Sequence, residues 1–153
     1  MPNNSTRPLD LVNVAETEKV KRAIRTWLNT NTDKPCAKVN FEFLPEDSGV
    51  ALSIIQGAFI LKRYICGGYM AQVQFKLVFR TTCETADERL RADEVLDTFG
   101  DWCERNLATL QLPDSNMKAK RIRRDTTSTI LARYEGNVED HHILLTLQYE
   151  VMK

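Results

Sequence analysis

At 153 residues, 42% of them apolar and 27% charged, the chain has the size and composition of one soluble globular domain, which argues against disorder and against a membrane-embedded fold. Lys plus Arg equals Asp plus Glu at 21 each, so no net field steers the molecule onto nucleic acid or an acidic membrane. No apolar run approaches the roughly 20 residues that span a bilayer, and the scattered cysteines Cys36, Cys66, Cys83 and Cys103 suit reduced thiols in a cytoplasmic compartment.

The first twelve residues read as a polar leader, without the apolar centre of a signal peptide, on a single domain spanning 1–153. Asn13 and Glu16 have the spacing of a capping box, and the helix they open carries Val20, Ile24, Trp27 and Leu28 on one stripe. Asn29 to Pro35 reads as a loop, and Val39, Phe41 and Phe43 alternate with polar residues as a strand would over 37–43. The turn residues of 44–49 then lead into a strand from Val50 to about Ile55. The stretch from Gln56 to Gly68 is apolar without clean periodicity and reads as an extension or loop carrying exposed apolar groups. Gly67 and Gly68 feed a long strand from Tyr69 to Arg80, with Val73, Phe75, Leu77 and Phe79 facing one way and Gln72, Gln74, Lys76 and Arg80 the other.

Thr85 and Glu88 give a second capping signal, and its helix buries Ala92, Val95, Leu96, Phe99, Trp102 and Cys103. Gly100 inside that helix costs about 1 kcal/mol relative to Ala, which suggests a close approach to the sheet. Extended segments follow at 117–124, 127–134 and 143–151, the last two joined by a turn at Glu135-Gly136-Asn137. The order α-β-β-β-α-β-β-β predicts an α+β fold: an antiparallel or mixed sheet of five or six strands with both helices mainly on one face.

Chemistry is sparse. His141 and His142 are adjacent on an expected strand and point to opposite faces, so the pair does not chelate one ion, and a polar start to the strand is the simpler reading. Cys66 lacks a local base or an oxyanion site for a nucleophile. No phosphate-binding loop, zinc-protease helix or C-x-x-C pair is present, so no catalytic residue, metal or cofactor is expected. Lys118, Lys120, Arg121, Arg123 and Arg124 make a basic run without interleaved aromatics. It fits a solvated edge strand better than a nucleic-acid grip. The acidic residues Glu88, Glu94, Asp97, Asp101 and Glu104 read as the outer face of the second helix, a surface that such a strip on a neighbouring copy would complement. Phe59, Leu61, Tyr64 and Tyr69, together with Lys118, Lys120, Arg121 and Arg123, are the candidate contact residues between subunits or with a partner.

Three segments carry a family resemblance: Tyr64-Ile65-Cys66-Gly67-Gly68-Tyr69 through Phe75, Arg89 to Asp97 with Trp102, and Ala132-Arg133-Tyr134-Glu135 through His141 to Val151. They resemble the small minor capsid and tail-terminator (tail-completion) proteins of long-tailed phages and prophages of Gram-positive bacteria. The resemblance covers about Val20 to Val151 and rests on packing and turn motifs. It implies a virion subunit that is made in the host cytoplasm and forms a homo-oligomeric, usually hexameric, ring. That ring ends the tail tube and meets the tube protein on one side and head-connector or neck proteins on the other. A head-completion or neck protein of the same virion is the neighbouring possibility. A small ligand-binding or nucleic-acid-binding α+β domain is the alternative of another class.

Overall fold

A computed structural model of the chain describes residues 10–31, 34 and 38–153. Two helices and six strands follow in the order α1 (Val14–Leu28), β1 (Val39–Phe41), β2 (Gly49–Arg63), β3 (Tyr69–Thr82), α2 (Ala86–Arg105), β4 (Met117–Arg124), β5 (Thr129–Arg133) and β6 (Val138–Val151). Most of the predicted leader, residues 1–9, and part of the predicted 29–35 loop lie outside the described residues.

The sheet runs β1-β2-β3-β6-β4, with β5 pairing the same edge of β6 beyond the end of β4. Only β1 and β2 are parallel; the other pairings are antiparallel. The fold is therefore α+β with a mixed sheet. β3 and β6 form its spine, in unbroken register from Tyr69 opposite Val151 to Thr82 opposite Val138. Directly opposed residues share a face, so Val73, Phe75 and Leu77 stand beside Leu147, Leu145 and Ile143, all of them buried.

Both helices cover that face. Asn13 accepts from the Glu16 amide at 2.8 Å, and α1 buries Val20, Ile24, Trp27 and Leu28 as its stripe requires. The Glu16 carboxylate does not close the capping box. It accepts instead from the hydroxyls of Tyr69 and of Tyr149 (2.8 Å), pinning the start of α1 to the sheet. Thr85 caps α2, which buries Ala92, Leu96, Phe99, Gly100 and Cys103 and leaves Val95 and Trp102 half-buried. Trp27 and Trp102, ring centroids 5.1 Å apart, join the helices. A Cβ on Gly100 would come within 2.7 Å of Arg124 Cδ and of Ile143 Cδ1, so glycine is what lets α2 lie this close to the sheet.

Three expectations need correction. The 56–63 stretch is no loop but the second half of β2. Register shifts between Ile54 and Gln56, Gln56 and Phe59, and Ile60 and Lys62 erase its period-two signal. The strand expected over 37–43 is confined to Val39–Phe41 among the described residues. β6 begins at Val138, not Ile143, because Glu139, Asp140 and His141 are buried strand residues with partners from other elements.

The outer edge of β2 is sealed piecewise. β1 covers it as far as Leu52. Glu42, at φ 55°, turns its carboxylate to accept from the Ile54 amide (2.7 Å) and the Ser53 hydroxyl (2.9 Å). Farther along, Asp10 to Val12 bond Ile60 and Ala58.

Candidate functional site

The far halves of β2 and β3 form a hairpin that ends in the turn Tyr64 to Gly68. The Tyr64 amide donates to Gly68 O at 2.8 Å and the Gly67 amide to Tyr64 O at 3.0 Å. Gly67, at φ 98°, needs glycine for its conformation, whereas Gly68 needs it for space, a Cβ there falling 2.6 Å from Val151 O. Ile65 at the tip is fully exposed, and Leu61 (44% exposed), Leu11 (63%) and Met152 (41%) lie near the same end of the sheet.

The other candidate residues of this arm are tied down. Tyr64 donates to Glu150 at 2.7 Å, Tyr69 is drawn inward to Glu16, and Phe59 is half-buried beside the bridge from Leu11. Of the predicted apolar contact residues, Leu61 alone stands well out. Ile65 belongs with it and has no periodicity to reveal it.

The opposite end of the sheet carries an unlike patch on the face away from the helices. Phe43, Leu44, Val78, Leu131 and Tyr134 line an open depression of about 280 Å3. Arg80 forms its floor, donating to both oxygens of Asp140 (2.7 and 2.9 Å) and stacking its guanidinium 4.8 Å from the Tyr134 ring centre. Along the same face Gln148 donates to Gln72 at 3.2 Å, Gln74 donates to Asp125 at 3.1 Å, and Thr146 also donates to Asp125. The middle of the uncovered face is thus a ladder of polar pairs, while His142 Nδ1, buried on the same face, has no hydrogen-bond partner among the described residues.

The basic strip does not act as one stripe. A register shift between Ala119 and Arg121 leaves Lys120 at a bulge. Lys118, Arg121 and Arg123 share the uncovered face, opposite Glu150, Gln148 and Thr146, while Arg124 turns beneath α2. Arg123 pairs with Asp125 (2.9 Å) and Arg124 with Glu104 (2.7 Å), whereas Lys118, Lys120 and Arg121 make no ion pair among the described residues. The acidic residues of α2 are likewise not all outward. Asp97 accepts from the Ser128 amide at 2.8 Å and Glu88 from the Glu84 amide, so part of the charge expected to meet a neighbouring copy is spent within the chain.

A second constellation lies inside, where the end of β3 and the start of β6 pass under the first turns of α2. Sequence reasoning passed over it. Cys83, Glu139 and His141 are each no more than 2% exposed, and their Sγ, carboxylate and ring-nitrogen atoms lie within 4.8 Å of one another. His141 Nδ1 is 2.8 Å from Asp93 Oδ1. Glu139 Oε1 accepts from Arg89 Nε (2.8 Å) and Arg133 Nε (3.0 Å). Burial and the adjacent Glu139 push the Cys83 thiol up to about 11. Burial also raises Glu139, but the donors Arg89, Cys83 and Arg133 outweigh it and hold that carboxyl below its ordinary value. The order Cys83–His141–Asp93 imitates a nucleophile, a base and its orienter. A protonated, enclosed sulfur is the opposite of an activated one. The adjacent histidines do split between faces as expected, with His142 opposite Val78 on the uncovered side, but His141 is no polar strand start. The signal available was Glu139-x-His141, alternate residues of one strand face. Cys66, the glycine-flanked thiol, sits exposed at the hairpin tip, away from this cluster.

Scans against protein-family models and against curated proteins return no match. One solved chain aligns over 89% of this chain and 95% of its own, at 13% identity and a TM-score of 0.39, a level that carries neither fold nor function across.

Proposed function

We propose that the protein is a structural subunit of a phage virion, a tail terminator that assembles as a homo-oligomeric ring at the head-proximal end of the tail tube and joins it to the head. The observation that carries this reading is the pair of unlike apolar patches at opposite ends of the same long strands. One is the hairpin end with Leu61 and Ile65; the other is the depression around Phe43, Leu131 and Tyr134. At about 3.4 Å per residue they lie roughly 35 Å apart along β3. Two different patches on one molecule favour head-to-tail contact, and a head-to-tail contact repeated around an axis closes into a ring. The motif resemblance over 64–75, 89–102 and 132–151 supplies the virion context. Because the β2 edge is already sealed, the contact is one of side chains rather than an added strand on that side.

Sedimentation over a range of concentrations, with and without tail-tube protein, tests this. The wild-type chain should associate, and Leu61→Asp with Ile65→Asp should abolish association, as should Leu131→Asp. Mixing the two kinds of variant should restore dimers and nothing larger, since each keeps one good end. A monomer under every condition, with no effect on tube length in electron micrographs, would overturn the assignment.

A further inference from the structure

His141 Nε2 is a buried polar atom with no hydrogen-bond partner among the described residues. Its ring is 1% exposed, and the contact of Nδ1 with the Asp93 carboxylate requires the Nδ1 proton, because a carboxylate only accepts. In the neutral ring the Nε2 lone pair is therefore directed into the space bounded by Cys83 and Glu139. An orphan acceptor in a core needs a cause, since such atoms are otherwise paired.

The surroundings supply one. Asp93 is itself fixed by Ser128 Oγ, which donates to it at 2.8 Å. Arg89 Nε reaches both oxygens of Glu139, Oε1 at 2.8 Å and Oε2 at 3.1 Å, and Arg133 bonds Oε1; Oε2 also lies 3.8 Å from His141 Nε2. One bound ion would bridge that separation, whereas a direct hydrogen bond would not. An imidazole held by a carboxylate on its far nitrogen is the arrangement that orients metal ligands. Sulfur, imidazole and carboxylate together suit zinc, while magnesium and calcium take oxygen ligands.

We propose that Cys83 Sγ, Glu139 Oε2 and His141 Nε2 form a zinc site of three protein donors whose fourth position a water completes, with Asp93 as the residue that positions the imidazole. As the ion binds, the Cys83 S–H bond breaks and the S–Zn bond forms, the proton leaving to solvent. Arg89 and Arg133, 36% and 66% exposed along their side chains, carry the cluster's hydrogen bonds out to the surface. The bound ion ties the end of β3 to the start of β6, close beneath α2. The inference is independent of the assembly role.

Titration of the metal-free full-length chain with Co2+ reads the site. The expected result is one ion per chain, a thiolate-to-cobalt absorption band with four-coordinate visible bands, displacement by Zn2+, and a higher melting temperature with either ion. Cys83→Ser should remove the thiolate band, and Cys66→Ser and Cys103→Ser should keep it. Asp93→Asn should weaken the affinity about 10–100-fold while the band stays. If Cys83→Ser does not fold, X-ray absorption at the zinc edge of the wild-type complex gives the same answer: one sulfur in the shell supports the site, and a shell of nitrogen and oxygen alone overturns it. Absence of Co2+ uptake at tenfold excess, or a band that vanishes with Cys66, also overturns it. Either result would mean that the cluster is held by its own hydrogen bonds.

Discussion

The most consequential single residues are charged ones withdrawn from water. Asp140 and Arg80 are 4% and 18% exposed along their side chains and bond each other through two contacts. Removing one member of a buried pair strands the other, at about 3–5 kcal/mol, whereas apolar replacement of both is far milder. Asp140→Ala should therefore lower the urea midpoint sharply, and Arg80→Met with Asp140→Leu should recover most of the loss. Asp125 makes a pH prediction. Burial raises its carboxyl, but hydrogen bonds from Thr146, Gln74 and Arg123 outweigh that and leave it below the ordinary carboxylate value. A depressed folded value means that the unfolded chain takes up the proton first as the solution is acidified. The stabilisation is complete above the unfolded Asp value, about 3.9, and is lost as pH falls through the folded one. Asp125→Asn should flatten the acid limb of a plot of denaturation midpoint against pH relative to wild type; parallel limbs would refute the role. These pairings also show what a sequence window conceals. Glu139, Asp140 and His141 look like solvated residues until Arg80, Arg89 and Asp93 arrive from distant elements and Arg133 from the neighbouring strand.

At the level of elements, legibility followed regularity. α1, α2, β3 and the main run of β6 announce themselves through caps, 3.6-residue stripes and strict alternation, and each forms as that patterning requires. β2 hides its second half because each register shift moves the apolar residues to the other phase. Gly100 was legible as a point of close approach, and its cost can be predicted. Alanine there gains about 1 kcal/mol of helix propensity but pushes a methyl into Ile143 and Arg124. Overpacking of this kind typically costs about 1–3 kcal/mol, so Gly100→Ala should lower the melting temperature. Gly136→Ala is a useful companion. It meets no neighbour but sits at φ 76°, and it should destabilise through backbone strain alone. A rise in melting temperature for Gly100→Ala would mean that α2 can lift from the sheet at little cost.

For the molecule as a whole, polarity is spread unevenly: a closed edge along β2, a basic one along β4, and an apolar patch at each end of the long strands. Of the basic residues, Arg121 is the informative one, because Arg123 and Arg124 are already paired within the chain. Arg121→Glu should weaken association in sedimentation if β4 borders the contact, and unchanged sedimentation would place the contact elsewhere. The order of synthesis adds a hazard of its own. β6 is made after β3, β4 and β5, yet all three hydrogen-bond to it. Until a ribosome has passed Val151, two finished strands have nowhere to dock and the apolar flank of a third lies bare. A nascent chain stalled before Val138 should therefore be a strong client for chaperones, and one released there should precipitate rather than fold.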